Sequence, residues 1–187
     1  MVEVVNAHER SDETLLAEAA REGSDGPAFV ELMQRHRDRV WRLCYRLLGN
    51  EQDASDAGQE VFVRLFLNRA NFAGRSAFAT WLHGIAVRTC LTLRRGRSRR
   101  SRRETTVNAS LDAHASRTAA AGGTRLDLYQ MLEALPDDDR AMLILKHAEG
   151  YSYEELASVF ELSESACKMR VSRAKERLQE LFPEALE

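Results

Sequence analysis

Nearly every apolar segment of this chain repeats at intervals of three and four residues, the spacing that places side chains on one face of an α-helix. No segment alternates β-branched and polar residues between turn signals, as a half-buried strand would. The pattern therefore predicts an all-α protein. With 187 residues, 44% of them apolar and 30% charged, the chain can form one modest domain or two small ones and is too apolar for wholesale disorder.

Start and stop signals set the predicted helix ends. Gly26 and Pro27 precede a long apolar stripe, Gly49 follows it, and Asn50 is the expected N-cap of the next helix. The predicted helices of the first half cover about 12–22, 27–48, 51–68 and 76–95. Those of the second half cover about 125–134, 136–148, 153–160 and 164–181.

Residues 96–124 are rich in Arg, Ser, Thr, Ala and Gly and poor in large apolar side chains. Such a segment cannot bury a core and predicts a flexible linker, with a root-mean-square span of about 30 Å. The expected architecture is therefore two small helical domains, 11–95 and 125–183, joined by the linker 96–124. Seven of the ten residues 94–103 are Arg, which fits either nucleic acid as counter-ion or a solvated arm.

The formal net charge of −2 at first argues against a nucleic-acid partner. The charges are unevenly distributed along the chain. Residues 1–103 carry 18 basic and 13 acidic side chains, whereas residues 104–187 carry 9 basic and 16 acidic ones. The first half is basic and the second acidic, so a binding surface for phosphates remains compatible with the overall charge.

The N-terminal residues 1–13 lack the basic flank and apolar stretch of a secretory signal, and the chain has no run of about 18 apolar residues. We expect a cytoplasmic protein without membrane insertion. Three widely spaced cysteines, Cys44, Cys90 and Cys167, fit reduced and buried thiols rather than a disulfide framework.

The segment from Ser152 to Glu155 has the pattern of a capping box, which fixes a helix start. A short helix, a tight turn at 161–163 and a longer helix then predict a helix-turn-helix, whose second helix enters the DNA major groove. Helical phase puts five side chains opposite the apolar stripe of that helix: Ser165, Lys168, Met169, Ser172 and Arg173. Three more flank them and suit phosphate contacts: Arg170, Lys175 and Arg177. Alternatively, these basic residues only complement the helix dipole.

A second string, 53–66, combines an apolar stripe with polar residues that point away from it: Asp53, Asp56, Gln59, Glu60 and Arg64. These polar residues fit either a docking surface or a solvated helix face. The interpretation as a solvated face does not explain Gly58, since a glycine inside a helix lowers its stability by about 1 kcal/mol relative to alanine.

Aromatic and basic residues follow together in the loop and helix from Phe72 to Arg88. Aromatic rings stack on unpaired bases and guanidinium groups neutralise phosphates, so this combination is typical of single-strand binding. The candidate contacts are Phe72, Arg75, Trp81, His83 and Arg88. Phe78 and Trp81 also fit a purely structural role in the core.

These strings resemble the extracytoplasmic-function (ECF) group of bacterial RNA polymerase sigma factors. The family pattern D-A-x-D-x-x-Q-E-x-F begins at Asp53 and ends at Phe62, and F-x-G-x-S-x-F-x-T-W-L begins at Phe72 and ends at Leu82. The C-terminal pattern is matched from Leu135 to Leu178. The resemblance covers about 11–95 and 125–182.

The resemblance implies a sigma factor that binds core RNA polymerase, recognises the −10 and −35 promoter elements and initiates transcription of a specific regulon. It assigns core docking to Asp53, Asp56, Gln59, Glu60, Phe62 and Arg64. It assigns −10 recognition to the stretch from Phe72 to Leu82, which together with the residue pattern above gives Phe72, Arg75, Trp81, His83 and Arg88 as candidate contacts. It assigns −35 recognition to the α-helix that carries Ser165, Lys168, Met169, Arg170, Ser172, Arg173 and Lys175. An anti-sigma factor is a further implied partner. Four positions depart from the family pattern, namely Gly58, Arg88, Thr92 and Met169.

Three other interpretations remain open on the residues alone, one of them a pure interaction protein held by a partner that masks both domains. A dimeric helix-turn-helix regulator would read a palindrome without polymerase. A nuclease would need a metal-spaced cluster, a phosphate-binding glycine loop or a nucleophile with its base, and the sequence offers none of these. We therefore expect no enzymatic activity, no metal and no cofactor.

Overall fold

The computed structural model describes residues 10–107, 128 and 131–183, with 98–107 described by their backbone. Within these residues the protein is helical and contains no strand, which confirms the all-α prediction. The N-terminal helices are α1 (Asp12–Glu22), α2 (Pro27–Leu48), α3 (Glu51–Asn68) and α4 (Phe78–Val107), with one 3₁₀ turn at Arg69–Asn71. The C-terminal helices are α5 (Asp137–His147), α6 (Tyr153–Phe160) and α7 (Glu164–Leu181).

Local side-chain chemistry explains why the first helices begin and end where they do. The Ser11 hydroxyl accepts a hydrogen bond from the amide of Thr14 at 3.2 Å and caps α1. Pro27 occupies the first turn of α2, and Gly49 ends that helix in the left-handed conformation at φ 82°. The Asn50 side chain accepts from the amide of Asp53 at 2.9 Å and caps α3, as the sequence predicts.

Helix α4 is longer than predicted, because it continues to Val107 instead of ending near Arg95. Residues 96–107 contain no proline, and their only glycine, Gly96, is tolerated inside the helix. The first part of the expected linker is therefore helical. Its remainder, 108–124, lies outside the described residues. Of the helix expected at 125–134, residues 128 and 131–134 are described, and all but the turn residue 134 are helical.

The N-terminal helices α1 to α4 pack around one apolar core. Leu32 and Leu43 of α2, Val61 and Leu65 of α3, and Leu82 of α4 are all fully or almost fully buried. The three cysteines are free and buried, as expected for reduced thiols. The stripe predicted on each helix is thus the surface that holds this bundle together.

The C-terminal helices form the predicted helix-turn-helix. The Ser152 hydroxyl accepts from the amide of Glu155 at 3.1 Å, and the Glu155 carboxylate accepts from the amide of Ser152 at 2.8 Å. Glu161 takes the left-handed conformation at φ 56° and turns the chain, and the Ser163 hydroxyl caps α7. The capping box therefore fixes the start of α6, and the tight turn at Glu161 sets the direction in which α7 leaves α6.

The two domains pack against each other in the described arrangement. Helix α4 lies against α6, and α2 and α4 both contact α5. Arg46 of α2 forms an ion pair with Glu149, and Arg94 of α4 donates to Asp137 at 2.8 Å. The acidic second half thus neutralises part of the basic first half within one molecule.

Candidate docking and nucleic-acid interfaces

The polar residues of α3 lie on the side of the helix that faces away from the core. Asp56 and Gln59 are exposed, and Phe62 is half-buried one turn further on. The side-chain amide of Gln52 donates to the Asp56 carboxylate at 3.3 Å. Asp56 and Gln59 therefore present an acidic and an amide group, less than one helical turn apart, to solvent.

The other charged residues of the predicted docking set are engaged by neighbours on their own domain. Asp53 is the first-turn acid of α3 and forms an ion pair with Arg97 of α4. Glu60 and Arg64 pair along α3, with 2.7 Å between carboxylate oxygen and Nε. Asp53, Glu60 and Arg64 thus have charged partners within the chain, whereas Asp56 and Gln59 are exposed to solvent.

A groove of about 790 Å³ opens between α2 and α3, next to this polar row. Its walls are mainly apolar and include Phe29, Met33, Phe62 and Phe66. Gly58, which the helical pattern leaves unexplained, lines it, and so does Trp41 of α2. The sequence did not indicate this groove, because Trp41 falls outside the apolar stripe of α2 and its exposure becomes visible only in the folded bundle.

Three aromatic rings form a cluster where the loop after α3 meets α4. The Phe72 ring lies 5.7 Å from the Phe78 ring and 5.2 Å from the Trp81 ring, measured between centroids. Phe78 is buried, whereas Phe72 and Trp81 are half-buried. Arg75 is exposed in the same loop. Phe72, Arg75 and Trp81 are thus brought together at the start of α4, with Phe78 as their anchor in the core.

His83 was expected on the DNA-contacting surface, but in this arrangement it is fully buried. Its Nδ1 is hydrogen-bonded to the hydroxyl of Tyr151 from the C-terminal domain, and the two rings stack at 5.8 Å. Burial, and to a lesser extent the nearby Arg39 and His36, lowers the pKa of His83 to about 4. His83 is therefore a neutral residue of the domain contact at pH 7.

Other basic residues of α4 are held by acceptors of the C-terminal domain. Arg88 donates to the carbonyl of Val159 at 3.3 Å and lies 3.5 Å from the carboxylate of Glu161. Arg95 donates to Asp138 at 3.0 Å. Because Arg88 was predicted to face promoter bases, the C-terminal domain occupies one of the predicted DNA contacts.

Helix α7 presents the predicted reading face to solvent. Its buried residues are Cys167, Val171, Ala174 and Leu178. All five residues of the opposite face are exposed: Ser165, Lys168, Met169, Ser172 and Arg173. The flanking Lys175 and Arg177 are exposed as well, so the basic side chains predicted to meet DNA on this helix face solvent, except for Arg170.

Arg170 differs from the other predicted contacts of α7. Its guanidinium donates to the carboxylate of Asp139 on α5 at 2.9 Å, and it is only half-exposed. This ion pair joins α7 to α5 and orients the helix-turn-helix. Among the described residues, no group of acidic, histidine or cysteine side chains has the arrangement of a metal site, and no helix is long and apolar enough to cross a membrane.

Family models match both halves of the chain. Residues 32–100 match the model of Sigma-70 region 2, and residues 125–178 match that of Sigma-70, region 4. The ECF RNA polymerase sigma factor SigE of Mycolicibacterium smegmatis is 34% identical over 185 residues, covering 92% of this chain and 69% of that protein.

Two solved structures share the fold across both domains. The sigma factor RpoE, in complex with the anti-sigma factor NepR from Bartonella quintana, has a TM-score of 0.63 and 27% identity, covering 83% of this chain and 97% of RpoE. CnrH, in complex with the cytosolic domain of CnrY, has a TM-score of 0.66 and 25% identity, covering 93% of this chain and 98% of CnrH.

Proposed function

The chain belongs to the ECF group of RNA polymerase sigma factors, and on this premise we propose which surfaces carry out each step of its function. The protein binds core RNA polymerase, recognises a promoter and initiates transcription. Its partners are therefore core polymerase and promoter DNA, which give it a cytoplasmic site of action. It acts as an initiation factor that changes the specificity of an enzyme.

We assign core docking to the outer face of α3. The exposed pair Asp56 and Gln59 forms the centre of this face, with Asp53, Glu60, Phe62 and Arg64 around it. Carboxylate and amide groups at this spacing suit guanidinium or ammonium groups on the partner. The match of this segment to Sigma-70 region 2 supports the assignment.

We assign −10 recognition to the end of α4 that carries the aromatic cluster. Phe72 and Trp81 offer half-buried rings on which a displaced base can stack, and Arg75 and Arg88 offer positive charge for the strand. Stacking of unpaired bases on this surface favours the melted state over the duplex. His83 lies on the same helix but joins this surface only after the C-terminal domain has moved away.

We assign −35 recognition to the exposed face of α7. Lys168 and Arg173 can donate to base edges in the major groove, whereas Met169 offers apolar contact, for example with thymine methyl groups. Ser165 and Ser172 complete the face, and Lys175 and Arg177 lie where phosphates pass. Arg170 contributes by holding α7 against Asp139 of α5.

The described arrangement implies that promoter binding requires the two domains to separate. Arg88 is bound by Glu161 and by the carbonyl of Val159, and His83 is hydrogen-bonded to Tyr151. When the domains separate, Arg88 can bind phosphates and bases of the promoter in place of these acceptors. The free protein should accordingly bind DNA weakly, and core polymerase should favour the open form.

An anti-sigma factor is the natural regulator of such a protein. RpoE is solved with its anti-sigma factor and CnrH with a domain of CnrY. A binder that holds the domains together would keep Arg88 and His83 covered by the C-terminal domain. A dimeric regulator that acts without polymerase is the less favoured alternative, because the Sigma-70 region 2 match would then have no role.

Titration of core RNA polymerase into fluorescently labelled protein tests the docking assignment. We expect Asp56→Arg combined with Gln59→Ala to weaken binding by at least about tenfold, equivalent to about 1.4 kcal/mol. Glu13→Arg, a charge reversal at an exposed position of α1, is the matched control and should bind normally. Unchanged binding of the double variant would show that the docking surface lies elsewhere.

A further inference from the structure

Four arginines form a row along one side of α2. They are spaced by four, three and four residues, so they lie within an arc of about 60° on the helix surface: Arg35, Arg39, Arg42 and Arg46. Like charges at these spacings repel each other and destabilise a helix. The apolar core does not require the row, since Arg39 and Arg42 are exposed. Such a row indicates a binding surface for anionic groups.

The two ends of the row have anionic partners within the chain. Arg35 pairs with acidic residues of α1 and α2, and Arg46 forms an ion pair with Glu149 of the C-terminal domain. The middle of the row differs, because Arg39 and Arg42 make no ion pair or hydrogen bond within the part of the chain that the structure describes. These two guanidinium groups are therefore available to a partner outside the chain.

The row runs beside α4, which carries the proposed −10 surface. The His36 ring of α2 lies 5.2 Å from the ring of Phe78, the first residue of α4. Further along both helices, Arg94 donates to the carbonyl of Leu47 at 3.4 Å. The two helices thus run in the same direction, and the row leads from the aromatic cluster at the start of α4 towards the end of that helix.

The C-terminal domain covers the arginines of α2 and α4 with acidic groups. Among the described residues, every ion pair between the domains joins an N-terminal arginine to a C-terminal carboxylate: Arg46 with Glu149, Arg88 with Glu161, Arg94 with Asp137 and Arg95 with Asp138. Guanidinium groups bind carboxylates and phosphates alike. The same arginines can therefore bind a nucleic-acid backbone once the domains have separated.

Arg39 lies at this domain contact as well. The hydrogen bond from the Ser152 amide is the main cause that lowers the pKa of Glu155, and the positive charge of Arg39 lowers it further. Arg39 also lowers the pKa of His83, after the larger effect of burial. The arginine is thus close to the covered promoter-recognition residues of α4 without a direct bond to the C-terminal domain.

We propose that Arg39, Arg42 and Arg46 form a further DNA site, which binds backbone phosphates of the promoter duplex between the −10 and −35 elements. The row leads away from the −10 surface towards the end of α4, where the chain continues to the −35-reading domain, so the duplex beside it is the spacer. From Arg39 to Arg46 the helix advances about 10 Å. Phosphates of one strand advance about 3.4 Å each along the duplex axis, so the row can meet about three of them.

This inference rests on the proposed function and adds to it a surface of α2 that neither the −10 nor the −35 assignment includes. Phosphate contacts increase affinity and set the position of the protein on the duplex without reading sequence. The site should therefore act equally on every promoter that the holoenzyme recognises.

Holoenzyme binding to a promoter duplex at several salt concentrations tests the proposal. For Arg39→Ala combined with Arg42→Ala, we expect affinity at low salt to fall by at least about tenfold and the slope of log K against log salt to decrease by about two. The loss should be the same for preferred and altered −10 and −35 sequences. Arg42→Lys keeps the positive charge and should bind almost as wild type does.

Arg21→Ala is the matched control, because Arg21 is an exposed arginine of α1 outside the row. It removes the same charge and should leave both the affinity and the salt slope unchanged. If the double variant is poorly folded, Arg42→Ala alone provides the test, since Arg42 is exposed and the variant should reduce the slope by about one. Melting temperature and affinity for core polymerase should equal those of wild type.

Duplexes with neutral methylphosphonate linkages identify the occupant of the row. Neutral linkages at successive positions of the spacer should weaken binding of the wild-type holoenzyme at about three positions. They should have little further effect on the double variant, because both changes remove the same contacts. Equal losses in the two proteins at every position would overturn the proposal. Loss of core binding in the double variant would assign the row to a protein partner and would also overturn it.

Failure of this inference can be distinguished from failure of the proposed function. If the wild-type protein does not bind core polymerase, the proposed function is wrong. If wild-type holoenzyme binds the promoter and the double variant binds it with the same affinity and salt slope, only the phosphate site on α2 is wrong.

Discussion

The hydroxyl of Tyr151 in the C-terminal domain is hydrogen-bonded to Nδ1 of His83 on α4, and both residues are buried. The contact joins residues from the two domains at the face of α4 that the family pattern assigns to promoter recognition. It is flanked by a second link, in which the Thr80 hydroxyl donates to Glu155 at 3.2 Å. The domain contact thus has a buried polar centre, which makes it sensitive to single-atom changes and to pH.

Tyr151→Phe should destabilise the protein by about 1–3 kcal/mol, because it leaves Nδ1 of His83 buried without a hydrogen-bond partner. Chemical denaturation measures the change. Tyr153→Phe is the matched control, since it removes the same atom from a half-buried ring that lies under the Lys146 ammonium group at 4.5 Å. The control should change stability by less than about 0.5 kcal/mol. Equal effects of the two variants would contradict the role given to the Tyr151 contact.

Acidification should lower the stability of the folded protein, because His83 becomes protonated on unfolding. Its pKa is lowered to about 4 in the folded state, so the unfolded chain binds the proton more readily. Stability is then complete above the ordinary histidine pKa of about 6.5 and decreases as pH falls towards 4, by about 2 kcal/mol at pH 5. The charged groups around the ring act in both directions, because Arg39 and His36 lower its pKa and Glu155 raises it.

Denaturation of wild type and of His83→Gln at pH 7 and pH 5 tests this linkage. Glutamine cannot titrate, so the variant should lose most of the pH dependence in this range. A wild-type stability that is the same at both pH values would show that His83 stays exposed to solvent in solution.

Ser152→Ala should cost about 1 kcal/mol of stability, because it removes the hydroxyl that caps α6. Ser152→Asp keeps an N-cap acceptor and should recover most of the loss. The hydrogen bond from the Ser152 amide also lowers the pKa of Glu155. Part of the stability that the capping box contributes is therefore lost as pH falls through that pKa. An aspartate variant as unstable as the alanine variant would argue against the cap as the cause.

Two arginines of α7 should behave differently in promoter binding by the holoenzyme. Arg173 lies on the reading face, so Arg173→Ala should cost about 1–3 kcal/mol on the preferred −35 sequence and relax its specificity. Arg177 lies on the flank, so Arg177→Ala should weaken binding to all sequences alike and reduce the salt dependence by about one counter-ion. Competition binding with permuted −35 elements distinguishes the two effects, and identical profiles would contradict the assigned face of α7.

Local signals were sufficient to predict most helix boundaries. The ends of α2 are set by Pro27 and Gly49, and the start of α6 is set by the capping box at Ser152. Each of these signals lies within one turn of the helix end that it sets. The end of α4 was predicted wrongly, because no proline stops the helix after Arg95 and composition alone suggested a flexible segment. The helix-turn-helix and the exposed face of α7 follow from helical phase.

The contacts between domains could not be derived from the sequence. His83 and Tyr151 are 68 positions apart, and periodicity shows that a side chain is buried without showing which surface covers it. The groove was missed for a related reason, since Trp41 lies outside the stripe of α2 and the gap at Gly58 exists only where α2 and α3 meet. Both features depend on how helices pack, which the pattern of a single helix does not contain.

Transcription reconstituted with core RNA polymerase and a library of genomic fragments tests the central claim most directly. Addition of the protein should produce discrete run-off transcripts from a subset of fragments, and Asp56→Arg with Gln59→Ala should abolish them while Glu13→Arg does not. The absence of any transcript that depends on the protein, from every fragment of the library, would contradict its assignment as a promoter-specific initiation factor.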